Sequence, residues 1–105
     1  MRRGQVWWAN LPGAAGRRPV VLLTRNAAYP VRDLVTIAPV TATIRHLHSE
    51  VLLGPEDGLP KRCVANLDTI TTLEKGDLVE FITMLGQERM KEIDAALKYA
   101  LEIAE

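Results

Sequence analysis

Apolar residues in most of the chain occur in short runs that are typical of β-strands. The run from Pro19 to Arg25 is almost continuously apolar, as in a strand that is covered on both faces. Five further segments are rich in β-forming residues and lie between turn residues: 4–11, 34–44, 49–54, 63–73 and 79–85. The pattern therefore predicts five or six short strands, and Pro39 indicates an edge or a bulge in the 34–44 segment.

The pattern changes to helical spacing near the C-terminus. Between Gln87 and Ala104, apolar residues recur every three or four positions: Met90, Ile93, Leu97, Ala100, Leu101 and Ala104. Gly86 can serve as the N-cap, and Glu88 lies in the first turn, where negative charge is favourable. Short hairpin-linked strands followed by one helix predict a mainly β fold, a small antiparallel barrel that the helix partly covers.

Length and cysteine content restrict the class of protein. The chain has 105 residues without repeats or linkers, so we expect a single domain, residues 1–105. Cys63 is the only cysteine, which leaves it without an internal disulfide partner and makes a small buried apolar residue its usual role. No apolar run approaches the ~18 residues of a membrane span, and the N-terminus lacks the pattern of a signal peptide. We therefore expect a reduced, cytoplasmic protein with no membrane partner.

The zero net charge of the chain conceals two oppositely charged halves. Residues 1–48 contain seven arginines and one acid, Asp33, whereas residues 49–105 contain six basic residues and twelve acids. Every basic residue in the first half is arginine, whose planar guanidinium suits phosphate. The asymmetry indicates a polyanion partner such as nucleic acid, although arginines at solvated strand ends would produce the same pattern.

Arg17 and Arg18 precede Pro19 at the start of the apolar run. Proline favours an extended conformation for Arg18, so its side chain projects from the beginning of the strand. A functional arginine and an ordinary surface arginine both fit this placement.

Thr41, Thr43 and Arg45 form the second group of candidate residues. If the strand stays regular to Ile44, the two threonines share a face and Arg45 continues it. Hydroxyl groups beside an arginine can hold a phosphate, but threonine is also a common strand residue.

His46 and His48 form the third group. Histidine is the usual acid or base near neutral pH, and two residues at i and i+2 point the same way along a strand. They are candidates for an RNA contact, and solvated loop residues are the alternative. No third metal ligand is evident nearby, so we expect no metal site.

Trp7 and Trp8 are adjacent, so they face opposite sides of a strand. We expect one of them to enter the core. The other would need an interface, a groove or a base on which to stack.

Four segments in this order resemble the MazF/PemK/Kid family of bacterial toxins: "MRRGQVWWANLPG…GRRPVVLLTRN", "VTIAPVTATIR", "VANLDTITTLEKGDL" and the helix "ERMKEIDAALKYAL". The resemblance implies a Src-homology-3-like barrel of the CcdB/Kid/MazF type with a C-terminal helix. It also implies a homodimer, a metal-independent and sequence-specific endoribonuclease acting on single-stranded RNA, and inhibition by an acidic MazE-like antitoxin. The loop "PGAAG" is shorter than in many members and lacks their acidic and amide residues.

By this resemblance, Arg18 matches the catalytic arginine of the family and Thr41 its catalytic threonine. We assign Arg17, Thr43, Arg45, His46 and His48 to RNA binding, without a cofactor. Cleavage would use the 2′-hydroxyl of the RNA and leave a 2′,3′-cyclic phosphate and a 5′-hydroxyl. Arg18 would stabilise the transition-state charge and could donate a proton, and the base would be water, His46 or His48.

Two other functions fit the same fold class. CcdB toxins share the fold but bind DNA gyrase and cleave nothing, in which case the arginines would form a protein interface. The third possibility is a non-catalytic barrel that binds nucleic acid. The Arg18-Pro19 pair and "APVT" favour the ribonuclease.

Overall fold

The structure, a computed structural model, describes residues 1–104. Its seven β-strands and one α-helix follow in chain order: β1 (Gln5–Leu11), β2 (Gly16–Leu22), β3 (Leu34–Thr41), β4 (Glu50–Leu53), β5 (Cys63–Asn66), β6 (Thr71–Glu74), β7 (Leu78–Met84) and α1 (Gln87–Leu101). The mainly β fold with a C-terminal helix is confirmed.

The seven strands form one antiparallel sheet in the order β4-β5-β3-β2-β1-β7, and β6 pairs with β3. Among residues 1–104 these pairings do not close the sheet, so β4 and β7 are its terminal strands. The predicted barrel is therefore an open one.

The core lies on both faces of the sheet, and β2 shows this most clearly. Val20 and Leu22 point into a cluster with Ile37, whereas Val21 points into a cluster with Ile93 of α1. All five side chains are buried. The continuous apolar run is thus a strand covered on both faces, as its sequence predicted.

The 63–73 segment is two strands rather than the one predicted. A 3-10 turn over Leu67–Thr69 separates β5 from β6. Asn66 caps this turn, because its side-chain oxygen accepts a hydrogen bond of 2.9 Å from the backbone N–H of Asp68. The local hydrogen bond outweighs the β-propensity of the surrounding residues.

The third strand also differs from its prediction. β3 ends at Thr41 instead of continuing to Ile44. β3 is an interior strand rather than an edge strand. On one side it pairs with β6 as far as Ile37 and with β5 from Val40, and Pro39 lies between these two pairings. The missing N–H of proline is tolerated where a strand changes partner.

The helix begins after Gly86 as predicted and ends at Leu101, because Glu102 adopts a left-handed conformation with φ of 56°. Its inner face carries Ile93 and Ala96, which are buried. Met90, Leu97 and Ala100 pack around them as predicted. Leu101 is half exposed, contrary to the prediction. No helix within residues 1–104 is both long and apolar enough to cross a membrane.

Candidate active site

Strands β2 and β3 separate at the point where Arg18 and Thr41 lie. Their last paired residues are Val20 and Pro39. Beyond this pair β2 remains bonded to β1, whereas β3 turns to pair with β5. Extending the register by two residues places Arg18 opposite Thr41 on one face of the sheet. The diverging strands therefore open a cleft with a guanidinium on one wall and a hydroxyl on the other.

Two cavities of about 310 Å³ each flank this pair, and both include Arg18 and Thr41 in their lining. The first, here called the threonine cavity, is further lined by Thr69, Thr71 and Asn66, together with apolar residues that include Ile37 and Pro39. The tryptophan cavity is further lined by Trp8, Arg17, Lys61 and Cys63. Arg18 and Thr41 thus line both spaces.

Arg18 is held by the loop before it. Its Nε donates a hydrogen bond of 3.1 Å to the carbonyl oxygen of Ala15. Within residues 1–104 no carboxylate lies within ion-pair distance of its guanidinium. Its terminal N–H groups therefore remain available to an anionic ligand.

The Thr41 hydroxyl is also oriented. Its oxygen accepts a hydrogen bond of 3.2 Å from the backbone N–H of Thr43. Because this bond occupies a lone pair and not the proton, the hydroxyl can still donate a hydrogen bond into the cleft.

Arg17 lies on the opposite sheet face from Arg18 and has local partners. Its guanidinium lies 5.2 Å from the ring centroid of Trp8 and 3.3 Å from a carboxylate oxygen of Glu80. Both members of the ion pair are more than half exposed, so the pair is weak and leaves Arg17 able to contact a phosphate.

The two tryptophans face opposite sides of β1 as predicted, but neither is fully buried. Trp7 packs against the cluster that contains Val20 and makes an edge-to-face contact with Phe81 at 6.1 Å. Trp8 lines the tryptophan cavity. Trp7 therefore lies at the edge of the core and is only partly buried, whereas we expected one tryptophan to enter the core.

Cys63 is a buried free thiol, as predicted. Burial raises its pKa, and the charge of Asp57 raises it further. Cys63 thus contributes a buried apolar surface to the tryptophan cavity.

The structure does not bring the remaining predicted residues into the two cavities. Thr43, Arg45, His46 and His48 belong to the loop after β3 and line neither cavity. The predicted common strand face is therefore wrong, because β3 ends at Thr41.

Two sets of contacts hold the loop after β3 in place. The carboxylate of Glu50 accepts hydrogen bonds from the backbone N–H groups of Arg45 and Leu47. His48 packs against Tyr99 of the helix, with the ring centroids 5.4 Å apart. The two histidines are consequently loop residues and do not continue a strand.

Sequence reasoning missed four polar lining residues of the cavities: Lys61, Asn66, Thr69 and Thr71. Of these, Asn66 carried a signal for a turn, because asparagine side chains often hydrogen-bond the backbone two residues further on. Within residues 1–104 no group of three or more His, Cys, Asp or Glu side chains is arranged to hold a metal ion.

Comparison with known proteins places this geometry in a family. The family model described as PemK-like, MazF-like toxin of type II toxin-antitoxin system matches residues 2–101. The probable endoribonuclease MazF5 of Mycobacterium tuberculosis is 43% identical over 101 residues, which cover 95% of this chain and 92% of that protein. The probable endoribonuclease MazF2 of the same species is 38% identical over 99 residues, covering 93% and 95%.

Solved structures agree with this relationship. The Mycobacterium tuberculosis toxin MazF-mt6 superposes with a TM-score of 0.89 at 30% identity, covering 96% of this chain and 99% of that one. An endoribonuclease from a mycobacterial species, solved in complex with its cognate antitoxin, superposes with a TM-score of 0.88 at 30% identity, covering 100% and 98%. The chain therefore belongs to the PemK-like, MazF-like family of type II toxins, whose curated relatives compared above are named as endoribonucleases.

Proposed function

We propose that this MazF-type toxin is an endoribonuclease that cuts single-stranded RNA at the Arg18–Thr41 cleft, without a metal ion and with the 2′-hydroxyl of the RNA as nucleophile. The observation that carries the proposal is the register of β2 and β3, which sets Arg18 opposite Thr41 between two cavities. A scissile phosphate in the cleft has room for one nucleotide on each side.

Arg18 stabilises the charge that develops on the phosphate. When the 2′-oxygen attacks, the phosphorus passes through a state with greater negative charge on its oxygens. A guanidinium supplies parallel N–H donors to such oxygens, and the Ala15 carbonyl already orients Arg18 through its Nε. A guanidinium stays protonated in proteins, so an arginine cannot serve as the general base.

Thr41 donates a hydrogen bond to a non-bridging phosphate oxygen, since its hydroxyl proton is not engaged by the Thr43 contact. His46 and His48 do not line the cleft, so water is the proton acceptor for the 2′-hydroxyl. As the 2′-oxygen bonds to phosphorus, the bond between phosphorus and the 5′-oxygen breaks, and the leaving 5′-oxygen takes a proton from water or from the Arg18 guanidinium. A site without a well-matched base is a slow one.

The homodimer is part of the proposal. β7 is a terminal strand of the sheet, and its exposed side chains include Val79, Phe81 and Met84. An exposed apolar edge strand favours association with a second copy. A two-fold dimer would extend the short RNA groove across its interface. Light scattering at micromolar concentration tests this, and an active monomer would contradict it.

The antitoxin is the proposed protein partner. Among the structural relatives is an endoribonuclease solved with its cognate antitoxin. An acidic, MazE-like antitoxin segment complements the arginine-rich first half of this chain and would cover the RNA cleft. Cleavage that persists with saturating antitoxin bound would contradict this overlap.

The experiment that tests the activity uses a long RNA in excess chelator. We expect discrete fragments from the wild-type protein and none from Arg18→Ala. The fragments should carry 5′-hydroxyls, so a polynucleotide kinase should label them without prior phosphatase treatment. No fragments, or fragments only after magnesium is added, would contradict the proposal.

A further inference from the structure

Asn66 lies at the side of the threonine cavity, outside the Arg18–Thr41 pair. It pairs with Glu50 at the end of β5. Extending the β3–β5 register by one residue from Val40–Ala65 sets Asn66 opposite Pro39. Asn66 thus shares a sheet face with Pro39 and Thr41, which both line the cavity.

The amide of Asn66 has a defined orientation. Its side-chain oxygen accepts the 2.9 Å hydrogen bond from the Asp68 N–H. An amide whose oxygen is held in this way leaves its NH2 group, with two donors, for other partners. Within residues 1–104 no acceptor is bonded to that NH2 group. Asn66 therefore offers a fixed donor beside the cavity.

Thr71 offers the complementary group. Its hydroxyl donates its proton to the carbonyl oxygen of Thr69 at 3.1 Å, so the lone pairs of the hydroxyl oxygen remain available to accept a hydrogen bond. The same cavity is also lined by the apolar residues Ile37 and Pro39. A donor and an acceptor beside an apolar surface suit a nucleobase, whose flat face is apolar and whose edge carries both kinds of group.

We propose that Asn66 reads the edge of the nucleobase that occupies the threonine cavity, next to the cleaved bond, and that Thr71 is its acceptor partner. The inference rests on the proposed endoribonuclease function and deepens it. It makes Asn66 a specificity-determining residue that takes no part in bond cleavage.

The test compares cleavage-site sequences by mapping fragment ends from a randomised RNA pool. Asn66→Asp is the informative variant, because aspartate keeps the acceptor for the Asp68 N–H and removes both donors. The carboxylate weakens binding of RNA in general through its charge, so the readout is relative base preference, which should move away from base edges that present an acceptor to Asn66. Thr72→Val is the matched control, since Thr72 neighbours Thr71 but lines a different cavity.

We expect Asn66→Asp to change base preference at one nucleotide adjacent to the cleaved bond by roughly three- to tenfold, the worth of one neutral hydrogen bond. Thr71→Val should change preference at the same nucleotide, and Thr72→Val should leave the profile unchanged. An unchanged profile for a cleaving Asn66→Asp would overturn the role of Asn66 and leave the proposed function standing. Absence of cleavage by the wild-type protein would overturn both.

Discussion

Arg18 and Thr41 occupy matching register positions on β2 and β3, two residues beyond Val20 and Pro39, the last residues that the two strands pair. The strands no longer hydrogen-bond to each other there, because β3 has turned to pair with β5. The same divergence that ends the ladder creates the cleft.

Arg18→Ala should slow cleavage by orders of magnitude while the protein stays folded. Removing one donor to a developing oxyanion costs roughly 10²–10³ in rate, and Arg18 contributes one side-chain bond to the fold, to Ala15. Arg17→Ala should instead weaken RNA binding and reduce its salt dependence, because Arg17 lies on the other sheet face beside Trp8. Single-turnover rates and salt titrations of both variants check this. Loss of cleavage in Arg17→Ala, together with a wild-type cleavage rate in Arg18→Ala, would contradict the assignment.

Thr41→Val removes the hydroxyl and keeps the branched shape, so the strand should persist. We expect cleavage to fall by roughly 10²-fold with little change in the melting temperature. Thr41→Ser should restore much of the rate, because it restores the donor. Thr43→Val is the control, since Thr43 lies in the loop and lines neither cavity. Equal activity of Thr41→Val and the wild type would remove the hydroxyl from the mechanism.

Sequence patterns predicted those features of the fold that depend on local periodicity. The apolar run of β2 and the helical spacing around Ile93 both reflect burial of regularly spaced side chains, which a sequence displays directly. The end of β3 at Thr41 and the break at Leu67 were missed. The break depends on the hydrogen bond that Asn66 accepts, and the end of β3 depends on which strand it pairs with. The β-propensity of the residues contains neither kind of information.

The sequence also predicted part of the candidate site. Arg18 and Thr41 were identified by resemblance, whereas Asn66 and Lys61 enter the cavities through pairing between distant parts of the chain. The histidines were assigned to RNA binding because of their residue type. Their positions follow from the loop that Glu50 shapes and, for His48, from contact with Tyr99, so their RNA-binding role remains a prediction.

Arg89 joins the helix to the turn after β4, and removing it should destabilise the fold. Its Nε lies 3.0 Å from a carboxylate oxygen of Asp57, whose side chain is only 10% exposed. Hydrogen bonds to Glu92 and Asp57 raise the pKa of Arg89, so its guanidinium stays charged. Arg89→Met leaves the Asp57 carboxylate without its cation and should lower the free energy of unfolding by about 1–2 kcal/mol.

Lys91→Met is the matched control for Arg89. The ion pair of Lys91 with Glu88 is exposed, at 3.6 Å, and contributes little. Urea unfolding of the two variants measures the difference. Similar midpoints for both would show that the Arg89–Asp57 contact does not stabilise the fold.

Cys63 should make the folded state sensitive to alkaline pH. Burial, with a smaller contribution from Asp57, raises the pKa of its thiol. A group whose folded pKa is raised contributes stability that is complete below its unfolded pKa, about 8.5, and is lost as pH rises through the folded value. Melting temperatures from about pH 7 to about pH 10 should therefore fall more steeply for the wild type than for Cys63→Ala. Parallel curves would contradict this.

The central claim is that the RNA supplies its own nucleophile at the Arg18–Thr41 cleft. The most direct measurement uses two short RNAs with the same mapped cleavage site, one of them carrying a single 2′-deoxy sugar immediately 5′ of the scissile phosphate. Both are incubated with the wild-type protein in excess chelator, and binding and cleavage are measured side by side. The account predicts equal binding, cleavage of the all-ribose RNA and an intact deoxy-substituted RNA. Cleavage of the deoxy-substituted RNA at the same bond would contradict it.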